Sequence, residues 1–386
     1  MQDRQTEQEV SPIGLYLHIP FCRSKCPYCD FCSFPRPDAG TVDAYVDELI
    51  RRVRAAGQGI TLPVDTVYIG GGTPTLLTPR QAERLTEAVH AAFRVLPDAE
   101  FTVEGNPAAV TAEGLAAWRA GGVNRLSLGA QSAHDAELKA LGRLHTWQDV
   151  RDAVTAARSA GIDNINLDFM LAIPNQTPES LRGTLEAALS LEPDHLSAYC
   201  LIIEEDTPFA RRGRKALGLP EDDDAADELA AGLYEQASAL LVSAGYEHYE
   251  ISNYARPGRR SRHNLHTWQD RPYLGLGPGA YSFLNGLRWG QSRDLAAFLR
   301  GEDITVDRYA PDEAERMGEY IMLGLRLREG IYESDFRDRF GVDFMAAHGQ
   351  VCRSFIDHGL MVREAGRVRL TEKGWLVSNG ILADLI

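Results

Sequence analysis

The sequence predicts an α/β protein, and three observations predict this class. Between residues 13 and 245, short apolar runs of strand length alternate with longer amphipathic segments. The alternation repeats six times, and the turns rich in glycine or polar residues tend to follow the strands. Six such units predict a parallel sheet with right-handed crossovers, and an incomplete (β/α)6 barrel suits this count. A doubly wound open sheet is the alternative.

Each unit consists of one predicted strand and the helix that follows it. The predicted strands are 15–19, 64–69, 100–103, 125–128, 165–171 and 195–203. The predicted helices are 42–55, 79–93, 111–119, 147–160, 178–189 and 225–244. Thr111 is a residue type that caps helix N-termini, and the acidic run 221–224 indicates a solvated helix start.

Changes in composition predict the domain organisation. A polar lead, residues 1–12, precedes the barrel at 13–245, and a connecting segment rich in Tyr, Arg and Gly spans 246–311. Residues 312–386 contain helical stretches at 314–327, 333–340 and 345–358, then two short strands around a turn. This order predicts a C-terminal α+β domain that is winged-helix-like.

The bulk composition restricts the classes of function. A formal net charge of −15 argues against binding nucleic acid through its phosphates. The first 12 residues lack the apolar region of a secretory signal, and no apolar run reaches membrane-spanning length. Six cysteines, four of them in one cluster, suit a reducing compartment, so we expect a cytoplasmic protein without a transmembrane segment.

The loop after the first predicted strand carries Cys22, Cys26 and Cys29 at C-x3-C-x2-C spacing. Three thiolates hold three irons of a cubic 4Fe–4S cluster and leave the fourth iron without a protein ligand. Clusters that only carry electrons usually have every iron ligated by cysteine. An open iron is a place for a substrate to bind, so the spacing favours chemistry at the cluster.

Other interpretations of these cysteines fit less well. A structural zinc site needs four ligands, usually in two separated pairs. Cys26, Cys29 and Cys32 match the start of a bacterial ferredoxin run, but the fourth cysteine followed by proline is missing. Four buried cysteines without a role are improbable in one loop that contains proline, whereas the isolated Cys200 and Cys352 are typical core residues.

The segment Tyr16-Leu-His18-Ile-Pro-Phe-Cys22 to Tyr28-Cys29-Asp30-Phe31 resembles the cluster loop of radical S-adenosylmethionine (SAM) proteins. More narrowly, it resembles the branch that contains oxygen-independent coproporphyrinogen III oxidase and heme chaperones. The resemblance implies a radical-SAM barrel in which the amino and carboxylate groups of SAM chelate the open iron. An electron from the reduced cluster then breaks a carbon–sulfur bond and gives a 5′-deoxyadenosyl radical. Cys32 fits neither pattern of this branch, and we predict that it is not a ligand.

Further motifs of this family carry the predicted SAM site. The zwitterionic methionine end of SAM needs an anion near its ammonium and a cation near its carboxylate. Glu104 in an E-x-N-P motif and Arg143 in Leu-Gly-Arg-Leu-His suit these two roles. Gly71, Gly72 and Thr73 belong to a GGGTP motif whose backbone approaches a ligand closely. The resemblance implies SAM contacts from Tyr16, Tyr28, Gly71, Gly72, Thr73, Glu104, Gln131, Arg143, Asp168, Ile202 and Tyr281.

The segment 262–268 resembles the HNxxYW motif of heme chaperones, and His263 is the predicted heme ligand. Two departures weaken this resemblance, because Thr267 replaces the tyrosine of the motif and Tyr281 stands where the chaperones have histidine. Tyrosine also ligates heme iron in some proteins, so the second change does not exclude heme.

Together the motifs predict a heme chaperone with three cofactors, namely a 4Fe–4S cluster, SAM and heme. Its expected partners are heme, an unknown heme-acceptor protein and a reductant for the cluster, with no nucleic acid among them. The short N-terminus favours the chaperone. The alternative is oxygen-independent coproporphyrinogen III oxidase or another radical enzyme acting on a tetrapyrrole. A plain iron–sulfur electron carrier is a third class.

Overall fold

The structure, a computed structural model, describes residues 11–386, so the predicted polar lead lies outside the described residues except for Ser11 and Pro12. Six long strands form the centre of the molecule, and the shorter strands near them extend or interrupt the pattern. The first ten strands are β1 (Ile13–Ile19), β2 (Phe21–Cys22), β3 (Phe34–Pro35), β4 (Val64–Gly71), β5 (Val95–Gly105), β6 (Arg125–Gln131), β7 (Asn164–Leu171), β8 (His195–Cys200), β9 (Glu247–Glu250) and β10 (Asn253–Ala255).

Strands β1, β4, β5, β6, β7 and β8 lie side by side in chain order, and every neighbouring pair is parallel. A doubly wound sheet reverses its strand order at a switch point. The order here never reverses within these six strands, so the predicted incomplete (β/α)6 barrel is confirmed and the doubly wound alternative is wrong.

Helices follow the barrel strands on the outer face of the sheet. They are α1 (Ala39–Gly57), α2 (Pro79–Ala92), α3 (Ala112–Ala120), α4 (Asp135–Ala140), α5 (Trp147–Ser159), α6 (Pro178–Leu189), α7 (Pro208–Arg212) and α8 (Asp223–Ser243). Side-chain caps fix several starts: Thr111 accepts from the Gly114 amide, as predicted, and Asp222 caps α8 within the acidic run. The short helices α4 and α7 were not predicted from the sequence.

Short strands extend the sheet on both sides of the six parallel strands. Next to β8 lies β10, which is antiparallel to it, and then β9, which is antiparallel to β10, while four later strands add to the β1 side. Along the chain these later elements are α9 (Arg262–Trp268), β11 (Tyr273–Leu276), β12 (Tyr281–Leu284), β13 (Leu287–Gln291), α10 (Leu295–Leu299) and β14 (Thr305–Tyr309). The result is a twelve-stranded sheet that runs from β14 to β9.

The chain from residue 312 onward builds a second hydrophobic core around Phe336, Phe344 and Trp375. Its elements are α11 (Glu313–Gly324), β15 (Ile331–Tyr332), α12 (Glu333–Phe340), α13 (Phe344–Asp357), β16 (Met361–Glu364), β17 (Arg367–Leu370), α14 (Glu372–Leu376) and α15 (Ser378–Leu385). The predicted two-stranded wing corresponds to β16 and β17, and β15 pairs with β17 as a third strand.

The predicted strand 195–203 is too long, because β8 ends at Cys200. Its last pair joins Cys200 to Leu171, where β7 also ends, so the residues beyond have no neighbouring strand. The chain therefore leaves the sheet, and the side chain of Ile202 is 70% exposed.

The two faces of the barrel strands differ in polarity. Alternate residues such as Val67 and Leu126 pack into the large core between sheet and helices. Inward positions of the same strands carry polar side chains, among them Tyr68, Glu104 and Arg125. The interior of the barrel is therefore polar enough to hold charged ligands. None of the helices within residues 11–386 is both long and apolar enough to cross a membrane.

Candidate functional site

Cys22, Cys26 and Cys29 lie on the loop that follows β1, at the carboxyl end of the barrel strands. A turn closes this loop, since the Cys29 amide donates to the Cys26 carbonyl over 3.1 Å. All three cysteines line one cavity of about 420 Å³. Ligand sites of (β/α) barrels gather at this face, because strand ends and loops converge there.

Two hydrogen-bond donors point at the sulfurs of this loop. Thr73 Oγ1 lies 3.6 Å from Cys22 Sγ, and Arg143 Nη1 lies 3.7 Å from Cys26 Sγ. Burial raises the pKa of the Cys22 and Cys29 thiols, and a bound metal would favour their thiolates instead. Donors around sulfur are what an iron–sulfur site requires, so these residues fit the group.

Within residues 11–386, no three histidine, cysteine or acidic side chains are arranged to hold a single metal ion. A cubic cluster is wider than one ion, so its ligands need not converge on a point. The thiols of the loop therefore suit a cluster better than one zinc ion.

Cys32 lies outside the cavity that the other three cysteines line. Its side chain is buried against Gly279, where an added Cβ would be 2.7 Å from the Cβ of Cys32. The Cys32 carbonyl accepts a 2.7 Å hydrogen bond from His18 Nε2. The structure therefore places this residue in the packing beneath the loop.

The turn after β4 needs glycine at two positions. Gly71 has φ of 111°, a region that side chains rarely adopt. A Cβ on Gly72 would lie 2.6 Å from the Phe21 carbonyl oxygen. Because both residues and Thr73 line the cavity, the backbone itself forms part of its wall.

Glu104, the last residue but one of β5, points into the barrel, and two donors hold its carboxylate. Tyr68 donates its hydroxyl over 2.7 Å and the Gly71 amide donates over 2.8 Å. Burial raises the pKa of Glu104 to about 7 in spite of these bonds. The carboxylate lines the cavity and is ready to accept from a cationic ligand.

Arg143 lies across the same cavity from β4. Its Nη2 donates to the Gly129 carbonyl over 2.7 Å, while Nη1 faces Cys26. Its Nε is buried without a hydrogen-bond partner among the described residues. A guanidinium held this way presents its charge beside the cysteine loop.

Two further predicted residues line the wall between β6 and β8. Gln131 has φ of 66°, and its Oε1 accepts from Tyr199 over 3.3 Å. Asp168 accepts from Asn166 Nδ2 over 2.7 Å, and burial raises the pKa of its carboxyl group. Tyr199 and Tyr68 escaped prediction, although both occupy inward positions of alternating strands, which is the signal that could have found them.

Large apolar side chains surround the mouth of the cavity. Phe31, Leu144 and Ile202 are 66%, 64% and 70% exposed, and they come from three separate loops. The cations Arg23 and Lys25 line the same mouth. Exposed apolar side chains gathered in this way are typical of an interaction surface.

The structure brings most of the predicted SAM-contacting residues together, including Tyr28, but two of them lie outside the cavity lining. Tyr16 is inside the barrel, where its hydroxyl donates to His18 Nδ1 over 2.9 Å and its ring stacks on Tyr68. Tyr281 is 61% exposed on β12.

His263, the predicted heme ligand, also lies outside the cavity lining. Its imidazole enters the barrel from α9, at the amino end of the strands. Nδ1 lies 3.0 Å from Thr66 Oγ1, and the ring stacks on Tyr68 at 5.0 Å between centroids. Burial lowers the pKa of His263 to about 3, so the ring is neutral.

Comparisons with known proteins agree with this architecture. Residues 16–188 match the family model of the radical SAM superfamily, and residues 312–377 match that of the HemN C-terminal domain. The heme chaperone HemW of Escherichia coli is 36% identical over 97% of this chain and 98% of that protein. HemW of Lactococcus lactis is 34% identical over 97% of each chain.

A solved structure shares the fold over nearly the whole length. Coproporphyrinogen III oxidase (HemN) from Escherichia coli, described as a radical SAM enzyme, superposes with a TM-score of 0.83. It is 23% identical and covers 97% of this chain and 90% of its own. The family models, the full-length relatives and the geometry of the cysteine loop agree, and the chain therefore belongs to the HemW family within the radical SAM superfamily.

Proposed function

We propose that the protein is a heme chaperone that binds a 4Fe–4S cluster and SAM and transfers heme to an acceptor protein. Cys22, Cys26 and Cys29 hold the cluster in this proposal. A reduced cluster bound there with one open iron would supply the electron for cleavage of a carbon–sulfur bond of SAM. The observation that carries the proposal is that three cysteines and a set of opposite charges line one cavity in a chain whose full-length relatives are named heme chaperones.

Different residues of the cavity bind different parts of SAM. Glu104 accepts from the amino group, and Arg143 donates to the carboxylate, which compensates the desolvation of both charges. Asp168 accepts from the ribose hydroxyls, and the apolar Ile202 covers the adenine. The bare backbone at Gly71 and Gly72 lets the methionine end approach the wall.

The mouth of the cavity suits the heme. A porphyrin presents a wide apolar face, and Phe31 and Leu144 present apolar surface to it. Its propionates carry negative charge, which Arg23 and Lys25 can pair. His263 is the ligand of the heme iron predicted from sequence, but its imidazole lies inside the barrel at the amino end of the strands, away from this mouth.

The remaining partners follow from this chemistry. The cluster needs a reductant, and the heme needs an acceptor protein. Cysteine usage favours the cytoplasm, where thiols stay reduced.

A heme titration of the anaerobically reconstituted protein tests the proposal. We expect saturable heme binding that weakens by at least about tenfold in Leu144→Glu, because a charge then faces the apolar macrocycle. His263→Ala tests the predicted ligand in the same titration. His134→Ala is the matched control, since the imidazole of this exposed histidine bonds to the Ser180 carbonyl and lies outside the cavity lining. Heme binding that neither saturates nor responds to these changes contradicts the chaperone function.

The enzyme alternative has its own test. Incubating the reconstituted protein with coproporphyrinogen III, SAM and reductant under anaerobic conditions yields no protoporphyrinogen if the chaperone proposal is right. Clear turnover would establish the oxidase instead.

A further inference from the structure

A buried arginine lies in the barrel interior beneath the candidate site. Arg125 is 1% exposed, although arginine is almost never fully buried unless it is paired. Its Nε has no hydrogen-bond partner among residues 11–386. A buried guanidinium without compensation is strongly unfavourable, so negative charge nearby has to balance it.

Strand register places this arginine one layer below the cavity. Side chains two residues apart on a strand share a face, so Arg125 points the same way as Ser127, which lines the cavity. Glu104 on β5 lies opposite Ser127, and Asp168 on β7 lies opposite Gly129. Arg125 is therefore beneath both carboxylates, on the strand between them.

The charge of Arg125 acts on both carboxylates. Burial raises the pKa of Glu104 and of Asp168, and Arg125 opposes this rise in each case. The groups that face Glu104 from the other strands are Tyr16, Tyr68, Asp168 and the Gly71 amide. Arg125 is a cation among the groups that act on Glu104, and its effect is smaller than that of burial and of the two hydrogen bonds.

We propose that Arg125 is a positioning residue that holds negative charge on Glu104 and Asp168, so that the cavity binds the amino group and ribose of SAM. The inference rests on the proposed binding of SAM in this cavity. Without Arg125, the protonated form of Glu104 predominates at neutral pH, and its attraction for the amino group weakens. The arginine acts through the two carboxylates without touching SAM.

SAM affinity of the reconstituted protein at two pH values tests this role. At about pH 7, we expect Arg125→Met to weaken SAM binding about fivefold, because a rise of about one unit in the pKa of Glu104 from about 7 lowers its ionised fraction from about one half to about one tenth. At about pH 8.5 the difference in SAM affinity between this variant and wild type is smaller, because Glu104 is mostly ionised in both. Arg125→Lys keeps the charge and restores most of the affinity.

Several outcomes overturn the inference. An unchanged SAM affinity in Arg125→Met contradicts it. An equal loss of affinity at both pH values in Arg125→Met and Arg125→Lys also contradicts it, because such a loss indicates a merely structural role. Arg182→Met, an exposed arginine on α6, is the control and should bind SAM like wild type. Absence of SAM binding to the wild-type protein refutes the proposed function, whereas normal wild-type binding with an indifferent variant refutes the role of Arg125 alone.

If Arg125→Met fails to fold, the wild-type protein provides a second measurement. Comparing the pH dependence of SAM affinity in wild type and Glu104→Gln gives the ionisation midpoint of Glu104. If Arg125 compensates the burial of Glu104, this midpoint lies at or below about 7. Buried glutamates have reached about 8–9, and a midpoint in that range would contradict the compensation by Arg125.

Discussion

At the scale of single residues, the site combines buried charges with sulfur ligands. Glu104 has a folded-state pKa of about 7 and an ordinary value of 4.5, because burial penalises its ionised form. The native protein therefore binds more protons than the unfolded chain between these values. The contribution of this residue to stability is greatest below its unfolded pKa and is lost as the pH rises toward 7.

We predict that Glu104→Gln removes this loss. As the pH rises from about 5 to about 8, the unfolding free energy of the variant increases by about 2–3 kcal/mol relative to that of the wild-type apoprotein. Chemical denaturation at both pH values measures the difference. Glu179→Gln, on the exposed start of α6, serves as the control. Parallel pH profiles for wild type and Glu104→Gln would show that burial does not shift this carboxyl group.

Cys32 and Cys26 provide a matched pair of cysteine substitutions. Cys26 lines the cavity, whereas Cys32 packs beneath the loop against Gly279. We predict that Cys32→Ser keeps the iron and sulfide content of the reconstituted wild type and that Cys26→Ser loses the cluster. Analysis of the iron and sulfide content of both variants measures the difference. Loss of the cluster in Cys32→Ser together with its retention in Cys22→Ala would assign the ligands to Cys26, Cys29 and Cys32.

At the scale of elements, a carboxylate fixes the helix that carries His263. Glu100 on β5 accepts 3.0 Å hydrogen bonds from the amides of Arg262 and His263 at the start of α9. A negative charge at a helix N-terminus satisfies free amides and suits the helix dipole. This contact joins the segment 262–268 to the barrel interior.

We predict that Glu100→Ala destabilises the protein by about 1–3 kcal/mol, because two buried amides lose their partner. Thermal unfolding measures the loss. Glu113→Ala removes an exposed acidic side chain from the first turn of α3 and should stay within about 0.5 kcal/mol of wild type. Equal unfolding temperatures for both variants would mean that α9 does not depend on this contact.

The predictability of the elements followed their length and their local signals. The six parallel strands and their long helices were predictable because apolar runs alternate with amphipathic segments capped by residues such as Thr111. The strands β9 to β14 have three to five residues each, too few for a clear period. Their position depends on pairing with β1 and β8, which local sequence does not encode.

The candidate site was predictable only in part, for a similar reason. Cysteine spacing and the glycine turn are local patterns, and the residues they indicated do line one cavity. Arg125 and Tyr68 act through contacts between strands, so no motif pointed to them. The position of Tyr281 and His263 outside the lining likewise depends on how the later strands and α9 pack.

At the scale of the whole molecule, the C-terminal core packs against the barrel through α9 and β9. Arg326 lies over the ring of Trp268 at 4.4 Å, and His248 meets Trp375 edge-on at 4.6 Å. The backbone adds a bridge between Glu250 and Leu327. The segment that resembles the heme motif is therefore held between the barrel and the C-terminal core.

We predict that Trp375→Ala lowers the unfolding free energy by about 3–5 kcal/mol, since this buried ring belongs to the C-terminal core and contacts the barrel. Val377→Ala, two residues away and 48% exposed, is the control and costs less than about 1 kcal/mol. Denaturant unfolding compares the two. Similar losses in both variants would contradict the coupling of the two cores through Trp375.

The EPR spectrum of the reduced, anaerobically reconstituted protein tests the central claim most directly. If Cys22, Cys26 and Cys29 leave one iron of the cluster open, adding SAM changes the spectrum as its amino and carboxylate groups bind there. A spectrum that stays the same with saturating SAM, or a cluster with four protein ligands, would contradict the account.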